Sequence, residues 1–173
     1  IRNADIIKMA NMAQLVNVIA PIFAEEKDMF RQTIYFPLEL FAKNMHGKSL
    51  DLVVDCPTYN TDEFYLGLGE AQTKQSNVPY LDVSAAYNNG EVIICVVNRH
   101  KENAIKTDII CQTGVFSDVL KISEINAPDI KAINDFGVEN VKTVSKPDIK
   151  AKGNTVTYSF PAHSLTMIRG KIK

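Results

Sequence analysis

The sequence predicts a mainly β fold, an antiparallel sandwich or barrel, behind a front section of different character. Three observations carry this. From residue 46 onward, short β-type runs recur at roughly 8–12 residue spacing, separated by Gly, Asn, Asp and Pro. No helical pattern separates those runs, so parallel β/α units are not expected there. Residues 1–45 are instead rich in Ala, Met, Leu and Phe with few turn signals. Two parts are therefore expected, 1–45 and 46–173, with the seam at "NMHGKS", where Gly47 is a natural stop for a helix.

The elements follow in chain order. In the front piece Ile6, Met9, Ala13 and Val16 fit a helix, yet "DIIKM" fits a short buried strand equally well. "TIYFPLELFAKNM" places Ile34, Leu38, Phe41 and Met45 on one helical stripe, with Pro37 suited to the first turn. "YLDVSAAY" alternates Leu81, Val83 and Ala85 against Asp82 and Ser84, and Asn88, Asn89 and Gly90 signal a hairpin. "EVIICVVN" is apolar on both faces, as in a central strand. "AIKTDIIC" alternates Ile105, Thr107 and Ile109, and "VFSDVLKISEI" supplies a further pair of short runs. "NTVTYSF", "PAH" and "SLTMIRGKI" read as a closing hairpin.

Composition bounds the chemistry. The 173 residues are 46% hydrophobic and 23% charged, enough to bury a core in one domain. A formal net charge of -1 argues against a nucleic-acid or anionic-membrane surface. No apolar run approaches the roughly 20 residues of a membrane span. Residues 1–20 lack the continuous apolar core of a signal peptide, and a first residue of Ile1 reads as a chain cut from something larger. Cys56, Cys95 and Cys111 have no paired spacing, so neither a disulfide framework nor a zinc site is expected; Cys95 and Cys111 read as buried small hydrophobes. His46, His100 and His163 are far apart in sequence, and their spacing favours no metal site. No metal or cofactor is expected.

Candidate polar sites are few. Glu25 and Glu26 in "FAEEKDM" read as a solvated loop, as do Asp62, Glu63 and Glu70; Asp82 alternates outward on its strand. Asn98, Arg99 and His100 end a strand, where such triplets are more often structural than ligand-binding. Gly67 to Gly69 lack the spacing of a nucleotide loop. Tyr59, Tyr65, Tyr80 and Tyr87 suggest a sugar-stacking platform, but tyrosines are routine in sheets and Trp is absent. No catalytic constellation stands out. The stretch "MANMAQLVNVIAPI" carries Asn11, Gln14 and Asn17 at three-residue spacing. A side-chain amide both donates and accepts, which suits a sugar hydroxyl pair; a structural amide would bond backbone instead.

These blocks, with "FRQTIYFPLELFAKNMHG", "VPYLDVSAAY", "VVNR" and "YSFPAHSLTMI", resemble in order and spacing the C-terminal end of α-L-arabinofuranosidases of glycoside hydrolase family fifty-one. The resemblance covers nearly the whole chain. It implies a (β/α)8 barrel followed by a β-sandwich of jelly-roll type. Residues 1–45 would be the last strand and helix of the barrel and 46–173 the sandwich, with a strand at about Asp5 to Ala10. Gln14 would then follow that strand on the C-terminal face, where barrel active sites lie. In such enzymes the glutamine of this block contacts the arabinofuranosyl ring, so Gln14 is the substrate-binding candidate; Asn17 matches the block without an assigned role.

The family's retaining chemistry uses two glutamates about 5–5.5 Å apart, one after an Asn and one before a Trp. This chain has no Asn-Glu dipeptide and no Trp, so no catalytic residue is expected in it, and the fragment alone should be inactive. Phe30 stands where relatives commonly carry Trp, which keeps an aromatic face and loses an N–H donor. The implied partners are an arabinofuranosyl-containing oligo- or polysaccharide, the catalytic barrel, and a further copy of the chain. An unclosed barrel piece exposes apolar surface at ~25 cal/mol per Å², so residues 1–45 should pack against the sandwich or mediate association. The competing readings are a stand-alone carbohydrate-binding module and a purely structural β-sandwich.

Overall fold

The structure is a computed structural model and describes residues 1–62, 64–65, 71–72, 74–117 and 119–173. Its elements run β1 (Ile22–Ala24), β2 (Met29–Arg31), α1 (Tyr35–Asn44), β3 (Lys48–Ser49), β4 (Thr58–Tyr59), β5 (Phe64–Tyr65), β6 (Ala71–Gln72) and β7 (Val78–Pro79). The long strands follow: β8 (Leu81–Asn88), β9 (Glu91–Asn98), β10 (Ile105–Ile110), β11 (Val119–Asn126), β12 (Lys142–Lys150), β13 (Thr155–Phe160) and β14 (Leu165–Lys171). The fold is mainly β, and its named strands pair antiparallel.

The largest sheet has the order β12-β11-β14-β9-β8-β3. β9 is the inner strand that its two apolar faces require. Val92, Ile94 and Val96 face a core shared with Leu120, Ile122, Val156, Phe160 and Ile168. Ile93 and Cys95 point the opposite way, into a core with Phe36, Leu40, Ile125, Val141 and Met167. The six-stranded sheet is thus the middle layer. The β10–β13 pair covers one face, and α1 with the segment after β11 covers the other.

The β8–β9 hairpin turns on Asn89 (φ 48°) and Gly90 (φ 83°), with Asn88 opposite Glu91. Two successive left-handed residues match the strand twist, which is why the Asn-Asn-Gly run encodes this turn. Pro37 lies in the first turn of α1, and the helix ends at Asn44, shortly before Gly47 (φ 102°). A Cβ at Gly47 would overlap the Tyr87 carbonyl oxygen. Gly47→Ala adds left-handed strain to a backbone clash and should cost at least about 2 kcal/mol, read as a lower urea midpoint.

The structure departs from several expectations. Asp5–Ala10 is not a strand here, where the barrel strands expected beside it are not part of the chain. A strand exists only against a hydrogen-bonding neighbour, and among the described residues none pairs with it; Ile6 N and Ile7 N donate to Asn3 O in a local turn instead. The buried face of α1 is Phe36 and Leu40; of the expected stripe, Phe41 and Met45 pack beside them, while Leu38 is 44% exposed. The helix is apolar around most of its girth, and the sheet selects the face. β13 and β14 are not a hairpin: β13 pairs with β10, whereas β14 lies between β11 and β9. The intervening Pro161–Ser164 carries the chain from one layer to the other. The run after Ser117 forms one long strand, β11, rather than two. β12, which the sequence reading omitted, is an edge strand protected by Lys142, Lys146, Pro147 and Lys150.

Candidate functional site

The front segment, residues 1–19, is exposed throughout. Gln14 lies on it in irregular backbone, and among the described residues no hydrogen bond occupies its amide. Asn17 differs. Its Oδ1 accepts the Ala24 N–H (2.8 Å), and its N–H donates to Ile22 O (2.8 Å). Asn17 (φ 62°) and Val18 (φ 59°) are left-handed, so Asn17 holds the turn into β1. The two amides therefore separate by role, one fastened to backbone and one free.

The β1–β2 hairpin is the next fixed feature. Phe30 stacks on Phe23 (5.1 Å between centroids) and meets Phe136 edge-on (4.9 Å). Arg31 lies 5.0 Å over the Phe36 ring and pairs with Glu139 at 2.5 Å; that hydrogen bond tightens the hold of Arg31 on its proton. Asn134, 6% exposed, donates to Arg31 O (2.9 Å) and Val141 O (2.8 Å) and accepts the Val141 N–H. The segment between β11 and β12 thus bolts the hairpin to the sandwich. Glu25 and Glu26 sit at the exposed hairpin tip, a solvated loop.

A second junction ties down the front end. Asp82 binds Arg2 at 2.6 Å and also pairs with Arg99. Ile1, Arg2, Phe41, Asp82, Ser84, Cys95 and Val97 line a groove of about 200 Å³ there. Cys95 is 2% exposed, and burial pushes its thiol up to about 12, so it is inert, a small hydrophobe as read. Cys111 is only half-buried, because it lies just past the end of β10, where its Sγ reaches Thr113 O (3.1 Å).

The strand-end triplet is structural. Asn98, 1% exposed, donates to Asn103 O, Phe160 O and Pro161 O and accepts the His100 N–H. The tyrosines do not make one platform. The ring of Tyr80 meets those of Tyr59 (4.7 Å between centroids) and His100 (4.6 Å) at a tilt, and Tyr87 lies apart on β8. Glu124, a buried carboxylate absent from the sequence reading, is matched by Lys146 (2.9 Å) and Tyr158 (3.5 Å). Burial, then the Glu124 charge, pushes the Tyr158 hydroxyl up. No local signal marks it, because Lys146 lies on β12, opposite Ile122 rather than Glu124. Asp62 is exposed; Glu63, Gly67–Gly69, Glu70 and the Tyr65 side chain lie outside the described residues. Among the described residues no three His, Cys, Asp or Glu side chains group as metal ligands, and no helix is long and apolar enough to cross a membrane.

The model of the α-L-arabinofuranosidase C-terminal domain matches residues 1–164. The chain belongs to this family. A probable α-L-arabinofuranosidase C of Aspergillus niger is 33% identical over 99% of the chain, and the intracellular exo-α-(1→5)-L-arabinofuranosidase 1 of Bacillus subtilis is 29% identical over 99%. The chain spans about a third of these relatives, 32% of each. Among solved structures, the Thermotoga maritima α-L-arabinofuranosidase in an arabinose complex superposes with a TM-score of 0.88 at 25% identity, over 98% of this chain and 35% of that one. The family 51 enzyme of Thermotoga petrophila gives 0.83 at 26% identity, over 97% and 35%. This α-L-arabinofuranosidase C-terminal domain thus keeps the family's fold along nearly its whole length.

Proposed function

We propose that the domain is the C-terminal part of a retaining α-L-arabinofuranosidase that removes terminal α-L-arabinofuranosyl units from arabinan, arabinoxylan or arabino-oligosaccharides. Residues 1–45 are the last strand and helix of its (β/α)8 barrel, and residues 46–173 are a jelly-roll sandwich that braces it. Both catalytic glutamates lie on the preceding polypeptide, so the fragment alone is inactive.

The observation that carries this reading is the front segment. Ile6 (79%), Met9 (77%) and Leu15 (74%) are exposed immediately before elements that are bolted to the sandwich. Apolar side chains in that number call for a cover, and seven further barrel strands supply one. Within the closed barrel, Asp5–Ala10 gains the neighbours that make it a strand, and Gln14 follows it on the active face. Its free amide then donates to one sugar hydroxyl and accepts from another. The name of the Bacillus subtilis relative, an exo-(1→5) enzyme, supports action on terminal units.

Two measurements test this. The 173-residue chain should not hydrolyse nitrophenyl α-L-arabinofuranoside, and turnover would refute the assignment of the glutamates elsewhere. In the full-length protein, Gln14→Ala should lower kcat/KM about tenfold by removing one hydroxyl contact; unchanged kinetics would remove Gln14 from the sugar site. The stand-alone binding module is disfavoured by Tyr80, whose ring already packs against Tyr59 and His100. Micromolar binding of arabino-oligosaccharide to the chain alone, by calorimetry, would favour it.

A further inference from the structure

His163 sits in the turn that carries the chain between the two layers. It is a non-glycine residue held at φ 44°, a conformation that persists only where the surroundings enforce it. Both ring nitrogens point at main-chain carbonyls: Nδ1 is 2.8 Å from Lys101 O and Nε2 is 2.9 Å from Ala127 O. Carbonyl oxygens only accept. A neutral imidazole carries one N–H and satisfies one of them, leaving the other contact as two facing lone pairs. The imidazolium donates to both, in charge-assisted bonds stronger than neutral ones.

The neighbouring ring is built the opposite way. His100 O accepts the His163 N–H (2.9 Å), while His100 Nδ1 accepts the N–H groups of Glu102 (3.1 Å) and Asn103 (3.0 Å). Its Nε2 lies 3.1 Å from Asn103 Nδ2. One histidine is thus placed as a backbone acceptor and the adjacent one as a double donor.

We infer that His163 is a proton-operated latch. In its charged form it ties the inter-layer turn at once to the loop after β9 and to the end of β11. On losing its proton it keeps the half-buried Ala127 tether and releases Lys101, whose carbonyl is exposed and readily hydrated. The tethered loop carries Arg99, which shares Asp82 with Arg2 of the front segment. The Ala127 side leads into the segment that bolts the β1–β2 hairpin through Asn134 and Glu139. The charged groups on the packed segments are Arg99, Lys101 and Glu102 on one and Asp129 and Lys131 on the other; among the described residues none forms an ion pair with His163.

The sign is set by the donors. The charged form gains partners on folding, so the stabilisation is present at acid pH and is lost as the pH rises and the ring gives up its proton. The latch does not depend on the sugar assignment. Its test is the melting temperature of the 173-residue chain and of His163→Gln at pH 5.5 and 8.0. Raising the pH should lower the melting temperature of the parent chain by about 2–4 °C more than that of the variant. Equal responses would overturn the proposal. Should the variant not fold, long-range ¹H–¹⁵N spectra of the parent chain decide. Two protected ring N–H groups on His163 at pH 5.5, one of them lost by pH 8.0, support the latch; an unprotonated nitrogen, or rapidly exchanging ring protons, at pH 5.5 refutes it.

Discussion

Asn98→Asp should lower folding stability by about 3–5 kcal/mol at pH 7, the cost of an uncompensated buried charge. The substitution keeps shape and changes one atom type. The two N–H of Asn98 Nδ2 are shared among three main-chain carbonyls, those of Asn103, Phe160 and Pro161, at 2.9–3.0 Å. A carboxylate oxygen in its place has no proton to offer and faces acceptors only. Burial and those carbonyls disfavour the ionised form, so the folded protein holds the new carboxyl above its ordinary value near 3.9. The penalty is therefore smallest at acid pH, where a protonated carboxyl still donates once, and grows as pH rises past 4. Urea denaturation at pH 4 and pH 7 reads it. An equal loss at the two pH values would mean that the site admits water and that the amide is not the knot described.

Phe160→Ala should cost about 3–5 kcal/mol, a large share of the 5–15 kcal/mol typical of a domain. The ring is fully buried, meets Tyr158 edge-on at 5.0 Å, and packs in the core between the layers with Leu120, Ile122 and Ile168. It also ends β13 at the crossover that Asn98 fastens. Phe160→Ala keeps the main-chain Phe160 O that Asn98 holds but loosens the residue bearing it, so the two effects should couple; a double variant should lose less than the sum. A loss below 1 kcal/mol for Phe160→Ala would show that the layers close over the cavity.

Some of this was legible before any coordinates. The strand character of β8 and β10 follows from alternation, whereas that of β12 was missed. The β8–β9 turn follows from Asn89 and Gly90, and the position of β9 from its two apolar faces. Pro37 and Gly47 bracket α1 because a first turn needs no N–H from Pro37, and Gly47 takes a positive φ that other residues avoid. Gln14 was singled out by amide chemistry and by resemblance, and it stands free where Asn17 is bound to backbone. The Asn98 knot was not legible: its signal, a polar strand end, is shared by many loops. The His163 contacts were hidden as well, because their acceptors come from residues 36 and 62 positions away.

The sequence by itself determined α1, most of the long strands, the β8–β9 turn and which family the chain resembles, because φ/ψ preference and hydrophobic period act over a few neighbouring residues. Only the tertiary structure decided that β13 and β14 enter different layers, that Phe36 and Leu40 rather than Leu38 meet the sheet, and that the front run is left without a partner. Strand pairing and helix facing are contests among segments far apart in the chain. They are settled by which surfaces bury together and which carbonyls find donors, and no local window contains that competition.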